Sequence, residues 1–136
     1  MVVSDPLVND HETPAGTLAA VSAAQKLHDG PISLLVVSQE APTKIPAGVS
    51  HVLHVACNDK LAETVASAIW KSQQTKNFTH IVMSSSKFGS TVVPRAGALL
   101  NVAPVTDVLE IVPPGNLCIY THSVYTLCGA SSCVTL

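Results

Sequence analysis

One turn concentrates the groups able to hold an anion: Ser84-Ser85-Ser86-Lys87-Phe88-Gly89. It follows an apolar run and precedes a helical one, and at that place in an open α/β sheet free backbone N–H groups point into the ligand crevice. Hydroxyls, amides and a lysine suit a phosphate. Ser84, Ser85, Ser86 and Gly89 are therefore candidates for an anion or nucleotide site, with Arg95, the chain's only arginine, on the helix that follows. The competing reading, and the favoured one, is structural: a helix cap, with a glycine that lets helix and strand approach closely. Neither a G-x-G-x-x-G fingerprint nor a Walker lysine is present. Arg95 has a similar choice between a ligand or partner carboxylate and Asp107, which lies in an otherwise apolar strand and needs a counter-charge. The internal pair is the favoured reading.

Other reactive side chains carry less. His51 and His54 stand three apart on a strand, on opposite faces, and cannot share a metal. Cys118 and His122 do share a face, and with Cys128 and Cys133 they make a remote zinc possibility whose spacing fits no known knuckle. No metal site is expected. No C-x-x-C pair and no G-x-S-x-G elbow occurs, so neither a redox dithiol nor a hydrolase nucleophile is indicated. The cysteine usage fits a reducing compartment. Trp70 lies beside the apolar stripe of its helix, where a tryptophan covers a core edge or anchors an interface.

The elements that must position these groups follow from periodicity. Apolar residues make up 47% of the 136 residues, charged ones 12% and aromatic ones 4%. The core is therefore aliphatic, as in a helix-covered parallel sheet, and the low charge points to a partner covering some surface. Residues 1–4 read as the start of a first strand, followed by a polar loop (DPLVNDHE). Leu18, Val21, Ala24 and Leu27 recur at helical spacing over 14–28. Strands follow at 32–38 and 51–56, separated by a loop with two prolines and a glycine. A helix capped by Asn58 or Asp59, with Leu61, Val65, Ala68 and Ile69 on one face, runs to about Thr75. A fourth strand ends at the serine turn, a helix spans 89–100 with Pro94 near its start or kinking it, and a fifth strand spans 104–112. The expected fold is α/β: one three-layer domain with a mostly parallel doubly wound sheet, about five parallel strands plus possible C-terminal edge strands. Residues 1–114 form the body of that domain. Residues 115–136 hold no Asp, Glu, Lys or Arg and read as an uncharged tail supplying those edge strands.

Net charge is −2 and the cations are scattered, so nucleic-acid binding is not expected. No apolar run approaches the ~18 residues of a membrane span. The start, MVVSDP, lacks the regions of a signal peptide and of an Arg-rich transit peptide, so any targeting segment would lie outside this sequence.

The string FTHIVMSSSKFGSTVVPRAGALLNVAPVTD (78–107) resembles the N-terminal domain of the electron transfer flavoprotein alpha subunit. The resemblance rests on Ser86-x-Phe88-Gly89, Pro94-Arg95, Ala103-Pro104 and Asp107. PAGTLAAVSAAQKL (14–27) is similar to the family's first helix and GPISLLVV to the strand after it, so coverage is about 2–112. The family continues with an Arg-x-x-Tyr-Ala-Gly-Asn-Ala strand, whereas HSVYTLCG (122–129) keeps only Tyr125 of it. The resemblance implies a structural role for Phe88, Gly89, Pro94, Arg95, Pro104 and Asp107. It also implies a heterodimeric FAD electron carrier that links dehydrogenases to the respiratory chain. This domain packs there against the beta subunit, and the flavin is held largely by a C-terminal domain that has no counterpart here. FAD is therefore the family's cofactor but is not expected on this chain, which is expected to be a non-enzymatic scaffold. Its expected partner is a beta subunit, or a second copy through an exposed apolar face. Its place would be the mitochondrial matrix in a eukaryote and the cytoplasm otherwise. The alternative is a stand-alone adenine-nucleotide-binding α/β module using the 84–89 turn.

Overall fold

Strand residues alternate faces, and in this chain both faces are apolar. Val2, Leu34, Val36 and Val82 point one way, while Val3, Leu35, Val37, Ile81 and Met83 point the other, and all are buried. Such segments are stable only between two helical layers, which is why continuous runs such as SLLVVS become central strands. In the computed structural model, which describes residues 1–6, 12–27, 29–108 and 124–128 (the side chains of 107 and 124–128 excepted), that is the arrangement. The strands are β1 (Val2–Val3), β2 (Ser33–Ser38), β3 (His51–Ala56), β4 (His80–Ser84), β5 (Pro104–Val108) and β6 (Val124–Cys128). The helices are α1 (Ala15–Leu27), α2 (Ala62–Lys76) and α3 (Gly89–Leu100).

The sheet order is β3-β2-β1-β4-β6-β5. The first four strands form a continuous parallel ladder. α1 covers one face through Ala20, Val21 and Ala24. α2 and α3 cover the other through Val65, Ala66, Ile69, Val92, Val93 and Ala96. The fold is thus the three-layer, mostly parallel α/β sheet expected from the sequence. β1 leads leftward to β2 through α1, whereas β4 leads rightward to β5 through α3. The order reverses between β1 and β4, so the switch-point crevice lies at their C-terminal ends.

Three expectations are corrected. The tail strand β6 is not an edge: it runs antiparallel between β4 and β5, so β5 is the outer strand and has no parallel neighbour. In α1, Val21 and Ala24 face the core and Leu27 packs against it as expected, but the first turn presents Thr17 rather than Leu18. Thr17 is fully buried and Leu18 is 45% exposed, because the Thr17 hydroxyl is needed by the chain end of β1. α2 begins at Ala62 without a side-chain cap, and Leu61, expected on the core face, stands at its N-cap with more than half its surface exposed. Residues 109–123, 129–136 and the neighbouring expected elements lie outside the described residues.

α2 and α3 both end on an asparagine in the left-handed region, Asn77 (φ 51°) and Asn101 (φ 54°). Asparagine tolerates that region better than other residues with a Cβ. The Gln73 side chain then clamps the backbone of Phe78 from both sides, donating from Nε2 to its carbonyl and accepting from its N–H at 3.0 Å. Phe78 and Phe88 pack against the α2/α3 side of the core. β1 begins just after Met1, whose amino group donates to the His80 carbonyl at 2.6 Å. Burial lowers that amine's pKa from 8.0 to about 6.

Candidate functional site

The C-terminal ends of β1 and β4 bring together six residues: Ser4, Asp5, Gly16, Thr17, Ser84 and Ser86. Asp5, one residue past the end of the short β1 ladder's Ser4, is buried, so its carboxylate must find donors inside the fold. It does. Ser84 Oγ donates to Oδ2 in a close contact, and Ser86 Oγ donates to Oδ1 at 2.7 Å. The backbone N–H of Asp5 donates to Thr17 Oγ1 at 3.1 Å, and Ser4 Oγ donates to the Asp5 carbonyl at 2.8 Å. Ser86 Oγ also accepts the Gly89 N–H, the first of α3, at 2.9 Å. One carboxylate thereby ties the ends of two strands to the first turns of α1 and α3, where the helix dipoles favour negative charge.

Two glycines make this closeness possible. A Cβ on Gly89 would stand 2.2 Å from the Ser84 carbonyl oxygen, a backbone atom that cannot swing away. A Cβ on Gly16 would meet Ser84 Cβ at 3.0 Å and Asp5 Oδ2 at 3.1 Å. Gly89 therefore serves close packing of helix on strand.

The sequence candidates separate accordingly. Ser84 and Ser86 do sit at the crevice, but their hydroxyls are committed to Asp5. Ser85 is half-buried beside them and Lys87 is exposed. Arg95 is turned elsewhere: Nη2 pairs with Glu63 Oε1 of α2 at 3.0 Å, and Nη1 donates to the Thr91 carbonyl at 3.0 Å. It reaches across α2 rather than into the crevice. The Asp107 side chain, the partner expected for Arg95 from the sequence, lies outside the described residues. Pro94 stands past the first turn of α3, so the Ser90 carbonyl loses its helical donor. Ser90 is exposed and water can serve that carbonyl. Pro104 opens β5, a position where a missing N–H costs the ladder little.

Sequence reasoning missed Asp5, Gly16 and Thr17. The signal available was an acidic residue immediately after a buried strand, followed by Gly-Thr in the first turn of the next helix. His54 is a satisfied histidine: its Nε2 lies 3.1 Å from the Ser38 carbonyl and 3.2 Å from Ser38 Oγ, which itself donates to the Glu40 carbonyl. Cys118, His122 and Cys133 lie outside the described residues. Among those described, no group of three or more His, Cys, Asp or Glu could hold a metal, and no helix is long and apolar enough to cross a membrane.

A family model described as the electron transfer flavoprotein domain matches residues 8–130. The chain belongs to the electron transfer flavoprotein family. It is 37% identical over 125 residues to the mitochondrial electron transfer flavoprotein subunit alpha of Arabidopsis thaliana, covering 80% of this chain and 34% of that protein. It is 42% identical over 105 residues to the probable mitochondrial subunit alpha of Caenorhabditis elegans (70% and 31%). With the subunit alpha of Pseudomonas aeruginosa it shares 34% over 115 residues (78% and 36%). The chain thus spans about a third of the length of the curated relatives it matches. In this member of the electron transfer flavoprotein family, Phe88 and Gly89 pack α3 against the core and β4, while Pro94 and Arg95 lie on its exposed face.

Proposed function

We propose that this chain is an alpha-subunit-like scaffold of a heterodimeric FAD electron carrier: it supplies a supporting domain to the assembly and no redox centre of its own. The observation that carries the reading is the match to the electron transfer flavoprotein domain over residues 8–130, with alpha subunits as the relatives it resembles. The switch-point crevice adds to it. A flavin pyrophosphate or an adenine nucleotide would need donors there, and the chain presents a buried carboxylate whose two oxygens already take the serine hydroxyls. Those residues do not fit the pyrophosphate, since two anions in one low-dielectric pocket repel strongly. The electron-transfer chemistry belongs to the flavin when an assembly holds it. This chain's part is to bind a beta subunit, or a second copy of itself, through exposed side chains such as Trp70 and Leu99. Two of the relatives quoted are mitochondrial by name, and the matrix is the corresponding place for this chain in a eukaryote.

The test is an absorbance scan of the purified chain across the flavin bands, with and without added FAD, together with co-purification against a beta subunit. A colourless chain that retains the beta subunit is expected. Stoichiometric flavin on these 136 residues alone would overturn the reading. Calorimetry with AMP and ATP addresses the nucleotide module. Silence is expected, and micromolar binding abolished by Arg95→Ala would favour the module instead.

A further inference from the structure

We propose that Asp5 is an internal closure of the switch-point crevice: its carboxylate holds the place of a ligand anion between the first turns of α1 and α3 and keeps external oxyanions out. In an open α/β sheet that crevice is where ligands bind, using helix N-termini and hydroxyls as donors. Here the side-chain hydroxyls at the crevice and the first N–H of α3 are already committed. The hydroxyls of Ser84 and Ser86 go to the two Asp5 oxygens, the Gly89 N–H goes to Ser86 Oγ, and Thr17 Oγ1 takes the Asp5 N–H. The space is filled as well as the bonds. Gly16 packs so closely that even a Cβ there would touch Asp5 Oδ2 and Ser84. Asp5 is 9% exposed, Ser84 and Thr17 are less exposed still, and the half-buried Ser86 hydroxyl is held by Asp5, so an incoming anion reaches these donors only by displacing the carboxylate. Charge, donors and volume all close the same site.

The inference has a direct consequence. Deleting the carboxylate leaves two hydroxyl donors, buried Ser84 and half-buried Ser86, facing a gap of roughly carboxylate size. Such a gap suits a small oxyanion, formate best and inorganic phosphate second. The experiment follows melting temperature and the backbone amide resonances of residues 84–89 in the full chain. Wild type and Asp5→Ala are compared in formate, phosphate and chloride at equal ionic strength. The wild type should give the same melting temperature in all three and no saturable shift at these amides. Asp5→Ala should melt lower in chloride and recover saturably in formate, by about 3 °C or more. Its 84–89 amides should titrate with the same midpoint. Saturable binding of formate or phosphate by the wild type at these amides would overturn the closure. So would a folded Asp5→Ala that responds no differently from wild type. If Asp5→Ala is unfolded in chloride, folding restored by formate supports the proposal. Failure of both Asp5→Ala and the milder Asp5→Ser to respond to either anion overturns it.

Discussion

Ser84 shows how one residue can satisfy a functional signature and a structural need with the same atoms. Its position at a strand end made it a ligand candidate, and its hydroxyl serves Asp5 instead. Ser84→Ala leaves a buried carboxylate oxygen short of its donor and should cost about 1–3 kcal/mol, measured by urea unfolding. Gly89→Ala should cost more than a surface change by a similar margin of about 1–3 kcal/mol, because the added Cβ meets the Ser84 carbonyl and must push α3 off β4. A Gly89→Ala chain as stable as wild type would show that α3 can shift freely. The role of Gly89 was legible in the sequence as a close-approach glycine. The role of Asp5 was not, because its partners lie about eighty positions away on β4 and its neighbours in the chain read as a polar loop.

At the scale of elements, β3 and α3 appear with the bounds their patterns predict, and β2 and α1 within about a residue. These are segments whose ends are marked by proline, glycine or asparagine. The start of α2 was misplaced because Asn58 and Asp59 resemble caps, whereas the helix begins three residues later with Glu63 in its first turn. That glutamate meets Arg95 across the helix pair, with 48% and 64% of the two side chains exposed. Solvent screens such a pair, so Arg95→Ala should change stability by less than about 1 kcal/mol. A loss of several kcal/mol on unfolding would mean that the pair is part of a buried network. The asparagine caps are worth more: Asn77→Ala should destabilise by about 1 kcal/mol, with Asn77→Gly near neutral, since only the alanine is strained in the left-handed region. Paired thermal melts of the two variants check it.

The whole molecule is a mostly parallel α/β sheet whose aliphatic composition announced it, but whose last strand the sequence misread. Nothing in an uncharged segment distinguishes an edge strand from one inserted between two neighbours. The sheet's other end of the chain offers a pH prediction. Burial lowers the Met1 amine's pKa from its ordinary 8.0 to about 6 in the fold, so the unfolded chain binds more protons between those values. Stability should therefore rise as pH goes from about 6 to 8 and level off above it, with the full cost present below 6. Urea midpoints at pH 6, 7 and 8 read this directly, and acetylating the amine should flatten the rise.

The insertion of β6 between β4 and β5 also sets a timetable for the ribosome. β5 has hydrogen-bonded strand pairing only with β6 among the described residues, and β6 is the last described piece of chain to be made. Until residues 124–128 leave the exit tunnel, β4 has an open flank and β5 has nowhere to dock. A nascent chain arrested before that point should be cut by protease at β5 while β1 to β3 are already protected, and its protection should arrive in one step with β6.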